Sequence, residues 1–298
     1  MIQMGVLICR LITVLIAVVA MLVSGACFCV AGDDALPDSV AISDTGAYAF
    51  VVEAVAPFTN GVHGMAFASD GTLYYSDSYR NEGTVSRVYI LHPPYDGRSE
   101  ATGISGLNIS GLLFRDDALY VCATGQSRVW RYGPDLALAR KWVVPSPWNV
   151  EFVGDALFAV TYDGRVFALT DDGRTVPVLE DLVFPFDLAD AGDGTFFVTE
   201  QGEAEAAGRV GRFDPQGRSI ERLDHVFENP EGLARDDRGH LYIADTGAGK
   251  LLRASPDGRV ELITDAYEIP IVVARGPDGY IYFNTAGAEP RLVRVRLF

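Results

Sequence analysis

The stretch Asn229 to Arg259, NPEGLARDDRGHLYIADTGAGKLLRASPDGR, decides the fold. A short apolar run, Gly232 to Ala234, is followed by a polar turn ending at Gly239. A strand of alternating character then runs from Leu241 to Ala244. A small turn at Thr246 to Gly249 leads into a third strand, Lys250 to Ala254, and Asp257-Gly258 turns into a fourth that begins at Arg259. Period-two alternation bounded by Asp/Gly pairs marks strands joined by tight hairpins, because Gly and Asp tolerate the positive φ such turns need. Glu231 stands at the head of the first strand, an unusual place for a carboxylate unless it faces something.

The same order of apolar run, turn, aromatic-rich strand, turn and strand recurs. Repeats begin at His63, Ser110, Asn149, Asp187, Glu231 and Ile271, in steps of 38 to 47 residues. Asp70-Gly71, Asp193-Gly194 and Asp278-Gly279 fill the first turn in three of them. No stretch of the body keeps a helical period over three turns. Four strands in about 40 residues make one propeller blade, so six repeats predict an all-β, six-bladed β-propeller. The sixth repeat ends at Phe298 after its third strand, while AYAFVVEAVAPF, Ala47 to Phe58, is a strand without a repeat. That segment is expected to complete the last blade and close the ring, leaving no open edge.

The chain of 298 residues is 49% hydrophobic, enough for a large buried core, with Gly (31) and Pro (15) spread throughout. Its net charge of −16 repels phosphate backbones and excludes nucleic-acid binding as a function. Residues 1–32 read as a signal peptide or an N-terminal membrane or lipid anchor. Arg10 precedes the apolar run Leu11 to Val23, and the small residues Ser24, Gly25 and Ala26 precede Cys27. A linker over 33–46 and the propeller over 47–298 follow. The protein is thus expected to be exported, periplasmic or extracellular, and monomeric, meeting a membrane only through its N-terminal segment. Of four cysteines only Cys122 belongs to the body, so no disulfide or Cys-based zinc site is available there.

The repeat PEGLARDDRGHLYIADTGAGKLLR resembles an NHL repeat, and the body from about Ala47 to Phe298 resembles the senescence-marker-protein/gluconolactonase family of six-bladed propellers. That resemblance implies a lactone or ester substrate and a divalent metal held by Glu, Asn and Asp from inner strands.

In a propeller the innermost strand of each blade runs along the central channel. Aligning the repeats at the residue before the recurring Gly or Val places His63, Ser110, Asn149, Asp187, Glu231 and Ile271 at its mouth. His63, Asn149, Asp187 and Glu231 form a mixed, oxygen-rich set suited to Ca²⁺ above all, and also to Mg²⁺, Mn²⁺ or Zn²⁺. Asn149 and Asp187 match the family's Asn and Asp; His63 replaces its Glu, and Glu231 is an added carboxylate. Asp187, Glu200 and His63 are the candidate catalytic groups. A second ring, at the ends of the second strands, contains Asp77, Ala123, Thr161, Glu200, Asp245 and Thr285. Trp148, Phe186 and Tyr79 are candidate walls for a substrate.

These residues fit a metal-dependent lactonase or ester hydrolase. They also fit a non-catalytic NHL-like scaffold that binds a protein, peptide or glycan, and a metal-dependent lyase with His63 as base. The loop Glu200 to Gly208 is a candidate lid. No nucleophile elbow, phosphate loop or dinucleotide fingerprint is present.

Overall fold

The computed structural model describes residues 39–42, 49–59, 61–77, 85–202 and 207–297. The N-terminal segment 1–32, Tyr79, and residues 203–206 of the loop after Glu200 lie outside the described residues.

The chain divides into two compact units. The larger, Ala54–Arg294, holds the six blades. Each is an antiparallel sheet whose strands pair in chain order. The inner strands are Met65–Phe67, Ile109–Arg115, Pro147–Val153, Pro185–Asp190, Pro230–Arg235 and Pro270–Arg275. Each packs beside the next, and the sixth packs beside the first, which closes the ring. One short 3-10 turn, Thr124–Gln126, is the only helical element among the described residues.

The sixth blade is completed from the other end of the chain, because Ala49–Pro57 lies next to Arg291–Leu297 in its sheet. Inside the larger unit this junction is marked by Phe58 N–H on the Pro290 carbonyl, 2.8 Å. A second closure lies deeper. The Asn284 side chain of blade six donates to the Val62 carbonyl of blade one at 3.2 Å and accepts Val272 N–H at 2.8 Å. In the smaller unit, Met1–Glu53 with Val295–Phe298, Glu53 pairs with Arg296 at 2.5 Å. There Ser39–Ile42 pairs antiparallel with Ala49–Val52, a strand within the stretch read as linker.

The predicted turns form as expected. Gly71, Gly194 and Gly279 have φ of 89°, 85° and 82°. The Asp before each accepts the backbone N–H two residues on: Thr72, Thr195 and Tyr280. Apolar side chains of adjacent sheets interlock between blades. Cys122, Trp142, Val150 and Phe167 pack together, as do Phe158, Leu188, Phe196 and Phe213. Cys122 is wholly buried, a packing residue.

Candidate functional site at the channel mouth

Strand register sets which side chains reach the mouth. Ile109, Pro147, Pro185, Pro230 and Pro270 each pair with the last residue of their second strand: Ala123, Thr161, Glu200, Asp245 and Thr285. In blade one Met65 pairs with Tyr75, which puts Val62 at the same level. The next residue in each blade is therefore His63, Ser110, Trp148, Phe186, Glu231 and Ile271. The one after is Gly64, Gly111, Asn149, Asp187, Gly232 and Val272.

This corrects the expected quartet. Asn149 and Asp187 stand one residue further along than His63 and Glu231, and a one-residue step in a strand turns a side chain to the other face. His63, Trp148, Phe186 and Glu231 line a cavity of about 720 Å³ at the mouth. Asn149 and Asp187 line the central channel, about 350 Å³.

Asp187 is 3% exposed and acts as a staple between blades. Its Oδ1 accepts Leu188 N–H at 2.8 Å and the Asn149 amide, and its Oδ2 accepts Leu233 N–H of blade five at 2.8 Å. Burial nonetheless pushes its carboxyl up to about 7. The Asn149 carbonyl accepts Val150 N–H at 2.9 Å, which fixes its NH₂ toward Asp187. Ion ligation needs the Asn149 side-chain oxygen, and that oxygen already accepts Val150 N–H. Among the described residues no three His, Cys, Asp or Glu side chains gather as ligands. The four predicted ligands, as placed, do not fit a resident divalent ion.

Glu200 is likewise tied into the frame. It is 1% exposed, accepts Val183 N–H at 2.8 Å and takes a two-pronged bond from Arg209 at 2.6 and 2.7 Å. It does not line the mouth cavity. Asp245 accepts the N–H groups of Glu228 and Asn229, holding the entry to the fifth inner strand. Ser110 donates to the Trp148 carbonyl at 2.7 Å.

His63 and Glu231 remain at the mouth. His63 meets Trp148 edge-on, with ring centres 5.7 Å apart, and lies 6.4 Å from Phe186. The Glu231 Oε1 accepts the Gln201 side-chain amide at 2.9 Å and that of Asn229 at 3.1 Å. Trp148 contacts Tyr162 and Phe186, with ring centres 5.5 and 5.3 Å away, and Tyr162 leads on to Phe184 at 6.1 Å. Tyr162, Phe184 and Ile269 are 53%, 43% and 40% exposed at the rim.

One set of site residues escapes a reading of side-chain type. The residue just before the level of Val62, Ile109, Pro147, Pro185, Pro230 and Pro270 is left-handed in five blades: Gly61 at φ 82°, Asn108 at 49°, Ser146 at 40°, Phe184 at 46° and Ile269 at 47°. Ser146, Phe184 and Ile269 also precede proline, which disfavours compact conformations. A β-branched residue such as Ile269 at positive φ is a marked outlier. The frame holds four of these in place through their carbonyls, which accept Thr124, Tyr162, Gln201 and Ala286 N–H at 3.0 to 3.1 Å. The last four of the five present themselves to the mouth cavity. The prolines at 147, 185, 230 and 270 were the signal for this register.

Solved structures share the architecture. A gluconolactonase from Xanthomonas campestris is 16% identical with a TM-score of 0.68, covering 92% of this chain and all of its own. The PQQ-bound form of an aldose sugar dehydrogenase from Streptomyces coelicolor is 17% identical at 0.65, covering 84% and 98%. A virginiamycin B lyase from Staphylococcus aureus is 13% identical at 0.58, covering 84% and 88%. The chain is a six-bladed β-propeller. At these identities the likeness is one of fold, which different chemistries share, and the expected resemblance to gluconolactonase-type propellers holds at that level. No family model matches the chain, and no curated protein matches it.

Proposed function

We propose that the chain hydrolyses a small lactone or ester in the mouth cavity, with His63 taking the proton from water and Glu231 holding the substrate. The observation that carries this reading is the burial of His63, from blade one, and Glu231, from blade five, in the wall of one aromatic cavity of about 720 Å³. Concave sites with apolar walls and a few polar groups are the usual form of a small-molecule site. Water adds to the carbonyl carbon as its proton passes to His63. The C–O bond then breaks, and His63 returns the proton to the departing oxygen. The carboxamides of Asn108 and Gln201 lie in the same wall and can donate to the carbonyl oxygen. The gluconolactonase among the structural neighbours supports the substrate class. The N-terminal segment, read as an export signal or anchor, supports action outside the cytoplasm.

A binding scaffold is the second reading. It is favoured by Asp187 and Glu200 being bound into the frame, which leaves His63 as the one acid–base group of the expected catalytic set in the cavity wall. The test is turnover of a panel of lactones and aryl esters, with and without chelator, by native protein and His63→Gln. Hydrolysis that survives chelator and is lost in His63→Gln supports the reading. No turnover by the native protein leaves the scaffold. A product without an added water points instead to elimination.

A further inference from the structure

Three of the inner strands end on arginine: Arg115, Arg235 and Arg275. Two of these are satisfied across a blade junction. Arg115 donates to the Gly154 carbonyl at 2.7 Å and pairs with Asp155 at 3.5 Å, both in blade three. Arg275 pairs with Asp237 in the first turn of blade five. Arg235 reaches the equivalent turn of blade four and finds no carboxylate. The two turns correspond, since Ala191 N–H bonds the Thr195 carbonyl in one and Asp236 N–H the His240 carbonyl in the other. Gly192 therefore stands where blade five has Asp237, and the next residue, Asp193, is taken by Arg212.

The Arg235 guanidinium is fitted between two turns. A Cβ on Gly192 would stand 2.6 Å from its Nη1, and one on Gly239 3.3 Å from its Nη2. Arg235 is half-buried and forms no ion pair or side-chain hydrogen bond among the described residues. A cation drawn partly out of water usually has a counter-charge.

The same side chain lines a groove of about 520 Å³ between blades four and five, at the ends of the inner strands away from the mouth. Arg212, Arg222 and Arg238 line it as well, against Glu221, Asp224 and Asp257. Glu221 is held by Arg212 at 2.8 Å, and Asp257 accepts the Ser255 hydroxyl. Arg222 and Asp224 are exposed. The matching groove between blades two and three sets only Arg131 and Arg140 against Asp116, Asp155 and Asp171. In a chain of net charge −16, the groove at blades four and five thus reverses the local balance.

We infer that this groove binds a small molecule bearing a carboxylate or phosphate, its oxyanion taken by the Arg235 guanidinium and its body laid along Phe197, Leu223 and Pro256. A planar guanidinium offers two parallel N–H groups to such an oxyanion. The acidic surface elsewhere repels polyanions, so the ligand is small. The site is separate from the mouth cavity and does not depend on the hydrolytic reading.

Benzoate, phenyl phosphate and benzyl alcohol, titrated at one ionic strength, compare two oxyanions with a neutral molecule of similar body. The readout is the NMR shift of the Gly192 and Gly239 amides, which flank Arg235 and report this groove rather than the mouth. At least one oxyanion is expected to saturate these shifts, at least about tenfold more tightly than the alcohol. Arg235→Gln should abolish saturation. Arg235→Lys should retain only a weakened response, because a point charge lacks the fork. Arg222→Gln should weaken binding several-fold, and being an exposed change it keeps the test decisive should the Arg235 variants unfold. Arg131→Gln, in the matching groove, is the control and should change nothing. If neither oxyanion saturates these amides, if the alcohol binds as tightly, or if binding is unchanged in Arg235→Gln and Arg222→Gln, the inference is overturned. The tighter of the two oxyanions identifies the ligand as a carboxylate or a phosphate.

Discussion

Asp187 in blade four accepts the N–H of Leu233 in blade five at 2.8 Å, while its other oxygen holds Leu188 N–H and the Asn149 amide of blade three. One buried carboxylate thus ties three consecutive blades together beside the axis. Asp187→Ala leaves two backbone donors and one side-chain donor without an acceptor. Each buried donor so stranded costs about 1–3 kcal/mol. A urea unfolding midpoint well below native is the expected result; an unchanged midpoint would show that the staple contributes nothing.

The channel carboxyls make stability depend on pH. Burial pushes Glu151 from 4.5 up to about 8, and Asp187 from 3.8 up to about 7 against the opposing pull of its N–H donors. Both folded-state values lie above the unfolded ones, so the folded chain binds more protons in between. The stability this gives is full below about pH 4 for these two groups and is lost as pH rises through 7 and 8. The effect is of order a few kcal/mol. Unfolding midpoints from pH 5 to pH 8.5 should fall with pH, and Glu151→Gln should flatten the curve.

Ring closure through Asn284 is testable by itself. Asn284→Ala removes the bond to the Val62 carbonyl and strands Val272 N–H, at roughly 1–3 kcal/mol. Amide exchange should quicken in blades one and six before the others. Uniform acceleration round the ring would mean that the blades open together.

Glu200 separates frame from chemistry. Removing its partner with Arg209→Gln leaves a carboxylate that is 1% exposed facing a neutral amide. The loss of stability should fall in the lower part of roughly 3–5 kcal/mol, since Arg209 is itself partly exposed. Any turnover should persist in variant that remains folded, measured well below its melting temperature.

Strand periodicity, Asp/Gly turns and the repeat length were enough to give six blades and a closure shared between the chain ends, because each rests on local rules that every blade repeats. The inner ring was harder to place. Aligning at the residue before Val150 and Leu188 shifts blades three and four by one, since Asn149 and Asp187 occupy the level that Gly64, Gly111 and Gly232 hold elsewhere. Those glycines are explained by crowding: a Cβ on Gly64 would stand 2.1 Å from the Ser110 carbonyl oxygen. The second ring carries no such ambiguity: Ala123, Thr161, Glu200, Asp245 and Thr285 pair at one level as aligned. The roles of Asp187 and Glu200 depend on partners 46 and 9 residues away, Leu233 and Arg209, and single-sequence patterns do not expose such pairings.

The left-handed residues before the inner strands have a further consequence. Four of the five, Asn108, Ser146, Phe184 and Ile269, are clamped through the main chain by an amide just past the second strand of their own blade, while the side chain is left to the cavity. Backbone and side chain are thereby uncoupled: the frame sets where the residue sits and is indifferent to what it is, as Asn108, Ser146, Phe184 and Ile269 already show. The mouth therefore works as a panel of separately replaceable tiles. Its ligand preference can be rewritten one blade at a time without retuning the ring that carries it.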